Sequence, residues 1–121
     1  MKYTYQAEVL RVVDGDTIDV ILDLGIEVHT KQRLRLARIN AWEPKGEERE
    51  KGLRATNVLI SKLSVPLQDQ EYYASPFRQI RVETIKDKTG KYGRYLAEIW
   101  LDDLNINDWL VKEGHARYVD Y

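Results

Sequence analysis

The sequence predicts a mainly β fold with helices (α+β in some schemes), a five-stranded Greek-key barrel of the OB-fold type with one longer helix after strand 3 and a short helix near the C-terminus. Three strand-like segments come first, a helical segment follows, and two further strand-like segments precede the short helix. At about 150 residues per domain, the 121 residues correspond to one domain, 1–121. The same order of elements is also compatible with other small α+β folds, and the barrel is the fold that we predict.

Hydrophobic alternation around a turn predicts the first strands. AEVLRVV and TIDVILDL flank Asp14-Gly15-Asp16, and Asp-Gly between two alternating runs is a strong hairpin signal. A third, long strand is predicted from Ile26 to Asn40, which makes the three strands a meander. In the second strand the apolar residues expected to face the core are Ile18, Val20 and Leu22.

Helical spacing replaces alternation in the next segment. A helix is predicted from about Pro44 to Leu63, and Val65-Pro66 ends it because proline cannot continue a helix. The apolar residues near helical spacing in this segment are Leu53, Val58, Leu59 and Leu63.

A second pair of strands and a short helix complete the prediction. The strands run from Tyr72 to Ile85 and from Tyr95 to Leu101, with a turn at Asp87–Gly90 between them. Asn105 is a candidate cap for a short helix that ends at Gly114.

Composition limits the chemistry available to this chain. It contains no cysteine, which excludes disulfides, cysteine-ligated zinc and thiol catalysis. Its two histidines, His29 and His115, leave little room for a histidine-built metal site or a serine triad. A net charge of −1 argues against a passive nucleic-acid coat, although a small cationic pocket is compatible with it. Catalysis would therefore use carboxylates, arginines, hydroxyls or a hard metal ion.

The sequence indicates no membrane segment. Its apolar runs are only a few residues long, whereas about 20 are needed to span a bilayer. The N-terminal MKYTYQAEVL lacks the apolar stretch of a signal peptide. We expect a monomer that is cytoplasmic by default, with secretion as the alternative if a leader has been removed.

Three acidic residues, Asp14, Asp16 and Asp19, lie around the first predicted turn. Aspartate is common in turns because its side chain bonds to nearby backbone N–H groups. The same carboxylates are candidate ligands of calcium, which takes about six to eight oxygen ligands. Since the spacing does not match a helix–loop–helix calcium loop, a cation here would need ligands from elsewhere in the chain.

Several arginines and polar residues are candidates for phosphate chemistry. Arg33 and Arg35 lie two residues apart on a predicted strand and so point to the same face, which is either an ordinary solvated face or a phosphate clamp. Asn40 and Glu43 close the same segment, and Glu43 alone is also compatible with an acid in the first turn of a helix. Arg94 follows the second hairpin turn, where a solvated arginine is the ordinary interpretation.

The segments VVDGDTIDV, RLRLARINAWE, DKTGKYGRYLAEIW and LVKEGHARY, in that order, resemble the staphylococcal nuclease (thermonuclease-like) family. The resemblance covers nearly the whole chain, from Glu8 to Tyr118, and its motifs are specific as a combination. It implies the same five-stranded barrel, calcium (Ca²⁺) as cofactor, and hydrolysis of phosphodiester bonds in DNA and RNA with little sequence specificity. It also implies a preference for single-stranded or frayed nucleic acid.

The resemblance assigns the metal site residue by residue. Asp16 corresponds to a carboxylate ligand of calcium, and Asp14 to a neighbour behind the ligands. Ala41 corresponds to a ligand that uses its backbone carbonyl. Asn40 stands where the family often has a second carboxylate ligand, so we expect weaker calcium binding because one negative charge is absent.

The resemblance likewise assigns the catalytic and substrate-binding residues. Glu43 corresponds to the glutamate that positions or deprotonates the attacking water, and Arg35 and Arg94 to the arginines that grip the phosphate. Tyr92 corresponds to a tyrosine of the nucleotide pocket. Trp42 stands where the family usually has proline, from which we expect a looser turn before Glu43.

Two other functions compete with the nuclease. A catalytically weak or inactive OB-fold module would bind nucleic acid without cleaving it. A protein-interaction barrel would have no role toward nucleic acid. The second alternative leaves unexplained why Asp16, Arg35, Glu43 and Arg94 occur together.

Overall fold

The computed structural model describes residues 2–66, 76–89 and 94–119. Its strands are β1 (Lys2–Asp14), β2 (Thr17–Asp23), β3 (His29–Leu36), β4 (Ile39–Ala41), β5 (Gln79–Thr89), β6 (Tyr95–Leu101), β7 (Leu104–Asn105) and β8 (Ala116–Tyr118). Its helices are α1 (Arg49–Leu63), which follows a 3₁₀ turn at Gly46–Glu48, and α2 (Ile106–Lys112). In these ranges neither helix is long and apolar enough to cross a membrane.

Five of the strands close into a barrel. β1 pairs antiparallel with β2 on one side and with β5 on the other, β2 pairs with β3, and β5 pairs with β6. The barrel closes where β3 and β6 run parallel, from Leu34 opposite Tyr95 to Leu36 opposite Ala97. The predicted barrel, with the longer helix after the third strand and the short helix near the C-terminus, is confirmed.

The apolar face of β2 lies in the barrel core, as its alternation predicts. Ile18 and Val20 are fully buried, and Leu22 is nearly so. Leu59 and Leu63 of α1 belong to the same core cluster. Because burying a leucine side chain contributes about 1.5–3 kcal/mol, these two residues fix α1 against the barrel.

The predicted third strand, Ile26 to Asn40, is wrong in its extent. β3 begins only at His29, and it ends at Leu36 because Arg38 has a left-handed backbone with φ 67°. The Arg38 guanidinium donates two hydrogen bonds to Glu98, at 2.9 and 2.6 Å, which hold this turn in place. The chain then re-enters as β4, which pairs with β8 rather than with the barrel strands.

The start of the predicted helix also differs from the structure. α1 begins at Arg49 rather than near Pro44, because Gly46 has a φ of +64° and a short 3₁₀ turn comes first. Of the apolar residues near helical spacing, Leu53 is 42% exposed, whereas Leu59 and Leu63 are fully buried. The buried face of α1 consists of Gly52, Ala55, Leu59 and Leu63.

The second strand pair and the last helix follow the prediction with shifted bounds. β5 begins at Gln79 and continues to Thr89, so the turn predicted at Asp87–Gly90 is wrong where it overlaps this strand. Residues 72–75 of the predicted strand from Tyr72 to Ile85 lie outside the described residues. The predicted cap of α2 is confirmed, because the Asn105 side chain accepts a hydrogen bond from the Asp108 N–H at 2.9 Å.

Candidate active site

The first four strands bring several predicted site residues together. Asp14 and Asp16 border the β1–β2 turn, Arg35 lies near the end of β3, and Asn40 and Ala41 lie on β4. The left-handed turn after β3 reverses the chain, so that the backbone of Ala41 reaches a carboxylate 25 residues earlier. The break in the predicted third strand is therefore what assembles the cluster.

Asp16 is the centre of this cluster. Its Oδ2 accepts a hydrogen bond from the Ala41 N–H at 2.9 Å and lies 3.2 Å from Nη2 of Arg35, while its Oδ1 accepts a bond from the Thr17 hydroxyl at 3.2 Å. The Asp16 N–H donates to Oδ1 of Asp14 at 3.0 Å, which is the turn bond expected of an aspartate at this position. Asp14 thus stabilises the turn, and Asp16 points its carboxylate at β4.

Burial sets the electrostatics of the Asp16 carboxylate. The residue is 8% exposed, and burial is the largest of several effects that together raise its pKa to about 6. A hydrogen bond with the Asp14 side chain also raises the pKa, whereas the charge of Arg35 and the Ala41 N–H lower it. The site therefore contains a poorly solvated carboxylate, whose ionised form a neighbouring cation would stabilise.

Arg35 links Asp16 to β4. Its Nη2 donates to Oδ1 of Asn40 at 3.0 Å, and its Nη1 donates to the carbonyl oxygen of Leu36 at 3.0 Å. The side chain is only 12% exposed. These bonds fix a guanidinium charge beside the Asp16 carboxylate.

Arg33 and Asp19 form a separate pair on the outside of the β2–β3 ladder. They are cross-strand partners, and the guanidinium donates to both carboxylate oxygens at 2.7 and 3.1 Å. The hydrogen bond from Arg33 lowers the pKa of Asp19. For Arg33, whose side chain is 45% exposed, the structure agrees with the solvated-face interpretation.

The β1–β2 turn approaches β4 closely because Gly15 has no side chain. A Cβ at this position would lie 2.8 Å from Cβ of Ala41 and 3.0 Å from Cβ of Ala55. Both distances are shorter than ordinary carbon contacts of about 3.5–4.0 Å. The glycine therefore keeps the Asp16 carboxylate within hydrogen-bonding distance of Ala41.

Glu43 lies two residues beyond Ala41, in the loop between β4 and the 3₁₀ turn. Its N–H donates to Oε2 of Glu48 at 3.3 Å, and its own Oε2 is 3.9 Å from Nζ of Lys45. The Glu43 side chain is 60% exposed, so its carboxylate is accessible to water. Because α1 starts at Arg49, the interpretation of Glu43 as an acid in the first turn of that helix is wrong.

The remaining two predicted residues are less completely described. Arg94 is half-buried and directly precedes β6, whose first residue pairs with Leu34 beside Arg35. Its backbone is thus next to the strand that carries Arg35, and its role in holding phosphate stays a prediction. Tyr92 lies outside the described residues, so its place in a nucleotide pocket is also still a prediction.

The donor chemistry of the cluster fits a hard cation. Asp16 supplies a carboxylate, Asn40 an amide oxygen and Ala41 a backbone carbonyl, and calcium takes oxygen donors of these three kinds. In the described ranges no three side chains of histidine, cysteine, aspartate or glutamate form a metal-binding group. A cation at Asp16 would therefore have few charged protein ligands, and other oxygen donors would have to complete its shell.

Most of the chain matches a known protein family. A family model described as staphylococcal nuclease homologue matches residues 33–121. The chain belongs to this family. The match covers most of the chain, and it confirms the resemblance seen in the sequence motifs.

Relatives of this staphylococcal nuclease homologue carry two different names. It is 32% identical over 117 residues to a thermonuclease of Staphylococcus hyicus, a match that covers 91% of this chain and 57% of the relative. It is also 32% identical over 116 residues to a thermonuclease of Staphylococcus intermedius, covering 90% and 56%. Protein ParB of Escherichia coli is 27% identical over 122 residues, covering 92% and 55%. The chain spans little more than half the length of these relatives.

Three residues near the cluster have roles that the motifs did not predict. Thr17 bonds to Asp16 through its hydroxyl, and Gly52 of α1 packs against the backbone of Glu43. The indole N–H of Trp42 donates to the carbonyl oxygen of Gly114 at 2.9 Å, and the looser turn expected before Glu43 stays a prediction. Only Gly52 carried a usable signal, since glycine inside a helix is costly and often has a packing reason.

Proposed function

We propose that this staphylococcal nuclease homologue is a calcium-dependent nuclease that hydrolyses phosphodiester bonds of DNA and RNA with little sequence specificity. The observation that carries the proposal is a connected cluster, in which Asp16 contacts both Ala41 and Arg35, and Arg35 in turn contacts Asn40. An exposed carboxylate, Glu43, follows two residues later. The thermonuclease relatives support the same activity for the matched region.

In this proposal the acidic end of the cluster binds the cation. Asp16, Asn40 and the Ala41 carbonyl would hold Ca²⁺, and Asp14 would keep the turn in the conformation that presents Asp16. The bound ion would offset negative charge that develops on the phosphate oxygens. Without an ion, the same carboxylate is stabilised by Arg35, Thr17 and the Ala41 N–H.

The arginines bind the phosphate. Arg35 places its charge beside the cation ligands, held there by Asn40 and Leu36. We assign Arg94 as the second arginine of the clamp, and Tyr92 to the nucleotide pocket. Two guanidinium groups would favour a phosphodiester, and they would favour its more highly charged transition state still more.

Glu43 is assigned as the general base or water-positioning residue. A general base needs to reach the proton it removes. Glu43 follows Ala41 of the cluster by two residues, and its exposed carboxylate is accessible to water. The proton of that water would pass to the Glu43 carboxylate as the oxygen attacks phosphorus. The ester bond from phosphorus to the leaving oxygen would break, and the departing alkoxide would take a proton from solvent water. No cysteine, histidine or serine is needed for this step.

The alternative is a catalytically weak or inactive OB-fold nucleic-acid-binding module. The observation that favours it is Asn40, because an amide replaces a negative ligand and its oxygen already accepts a hydrogen bond from Arg35. Weak cation binding would leave the phosphate-binding residues intact. Such a protein would bind oligonucleotides without cleaving them.

A cleavage assay with fluorogenic single-stranded DNA and RNA separates these functions. Wild-type protein, Glu43→Gln and a control variant, Glu47→Gln, are compared in calcium and in chelator. Glu47 is an exposed acid of the neighbouring 3₁₀ turn, so the control removes one charge close to the site. We expect Glu43→Gln to slow cleavage by about 10²–10⁴-fold, with thermal unfolding unchanged.

The outcomes are distinct. Calcium-dependent cleavage that is lost only in Glu43→Gln supports the nuclease. Equal cleavage by both variants would remove Glu43 as the base. Binding without cleavage by a folded wild-type protein would establish the alternative. Comparing single-stranded with duplex substrates would test the predicted strand preference, and the molecular mass in solution would test the monomeric state. One cooperative unfolding transition is expected of the single domain 1–121.

A further inference from the structure

The backbone around Glu43 is held from two directions. Glu43 lies in a loop between β4 and α1, where it has no strand partner of its own in the described pairings. Its exposed side chain gains little orientation from packing. The position of its carboxylate therefore depends on how the residues before and after it are fixed.

Trp42, the residue directly before Glu43, is anchored to other parts of the fold. Its backbone N–H donates to the carbonyl oxygen of His115 at 3.4 Å, and its indole N–H donates to that of Gly114 at 2.9 Å. Nζ of Lys51, on α1, lies 5.0 Å from the centre of the indole ring, which is a cation–π contact. One side chain thus connects this loop to the segment after α2 and to the first turn of α1.

Gly52 lies against the peptide bond that joins Glu43 to Pro44. A Cβ at position 52 would overlap the carbonyl carbon and oxygen of Glu43 and the nitrogen of Pro44. All three are backbone atoms, so relief would require the loop itself to move. Since glycine is unfavourable inside a helix, its presence in α1 is explained by this close approach.

We infer that Trp42 and Gly52 are positioning residues that orient Glu43 toward the Asp16 cluster. This inference rests on the proposed nuclease function and deepens it. Trp42 anchors the chain directly before Glu43, and Gly52 lies against the carbonyl group of Glu43 and the nitrogen of Pro44. Displacing a catalytic group by about 1 Å can slow a reaction about a hundredfold without changing substrate binding.

The first variant is Trp42→Phe, which keeps an aromatic ring for Lys51, removes the donor to Gly114 and makes the ring system smaller. We expect kcat to fall at least about tenfold with KM nearly unchanged. The matched control is Trp109→Phe, because Nζ of Lys62 lies 4.9 Å from the Trp109 ring in a comparable contact away from this loop. The control should retain full kcat. Gly52→Ala should give a larger loss of kcat, with folding checked by circular dichroism.

The decisive measurement combines Trp42→Phe with Glu43→Gln. If Trp42 acts through Glu43, the double variant should be no slower than Glu43→Gln alone, whereas a general structural defect would slow it further. A multiplicative loss, or a wild-type kcat in Trp42→Phe, overturns the inference while leaving the nuclease intact. Absence of any cleavage by the folded wild-type protein overturns the proposed function and this inference together.

Discussion

Asn107 provides the most direct test of how the fold builds the site. It is fully buried on α2, and its Oδ1 accepts a hydrogen bond from the Ile99 N–H at 3.1 Å. Its Nδ2 donates to the carbonyl oxygens of Ala37 and Ala97 at 2.9 and 3.0 Å. Ile99 lies on β6 between the residues that pair with β3 and those that pair with β7. The amide thus satisfies backbone groups at a gap in the sheet and at the turn that leads into β4.

The magnitude of the effect of Asn107→Ala follows from these bonds. The Ala97 carbonyl keeps a second partner, because the Ala37 N–H also donates to it at 2.8 Å. The Ile99 N–H and the Ala37 carbonyl lose the partner that Asn107 supplies. Each buried polar group left unsatisfied costs about 1–3 kcal/mol, so the free energy of unfolding should fall by about 2–6 kcal/mol. This is a large fraction of the roughly 5–15 kcal/mol typical of a domain.

Urea unfolding of wild type and Asn107→Ala, followed by tryptophan fluorescence, measures this loss. The control is Asn105→Ala, which removes the cap of the same helix and a hydrogen bond to Glu98 at a half-buried position, and should cost about 1–2 kcal/mol. We also expect lower nuclease activity, because the Ala37 turn leads to Asn40 and Ala41. A loss for Asn107→Ala below about 1 kcal/mol, or equal to that of the control, would refute the reasoning about unsatisfied backbone groups.

Two further predictions concern charge. Asn40→Asp should lower the calcium concentration that gives half-maximal activity, because it adds a negative ligand; an unchanged or higher midpoint would show that position 40 is not a ligand. The hydrogen bond from Arg33 lowers the pKa of Asp19 in the folded protein below its ordinary value of 3.8. The pair therefore stabilises the folded state fully at pH values above 3.8, and this stabilisation is lost as the pH falls through the lowered pKa. In thermal melts, Asp19→Asn should have a lower melting temperature than wild type at pH 7, and the two melting temperatures should approach each other in strong acid. A difference in melting temperature that does not change with pH would contradict this.

The sequence determined the family, the barrel and much of the candidate cluster. Alternation in β2 fixed which of its residues enter the core, because side chains of a strand alternate between two faces. The motifs selected Asp16, Arg35, Asn40 and Ala41, which the fold then places in contact. These features were readable because each depends on local spacing or on the identity of a few neighbouring residues.

Only the tertiary structure decided where the third strand breaks and how Glu43 is held. The left-handed turn at Arg38 is fixed by Glu98, 60 residues away along the chain, and Trp42 is anchored by Gly114, 72 residues away. Local periodicity contains no record of such contacts, and it does not distinguish the exposed Leu53 from the buried Leu59 and Leu63, which share its helical spacing. Partners this distant meet only when the barrel closes through β3 and β6 and the helices dock on it. The identity of the site residues was therefore present in the sequence, whereas their presentation depends on the closed fold.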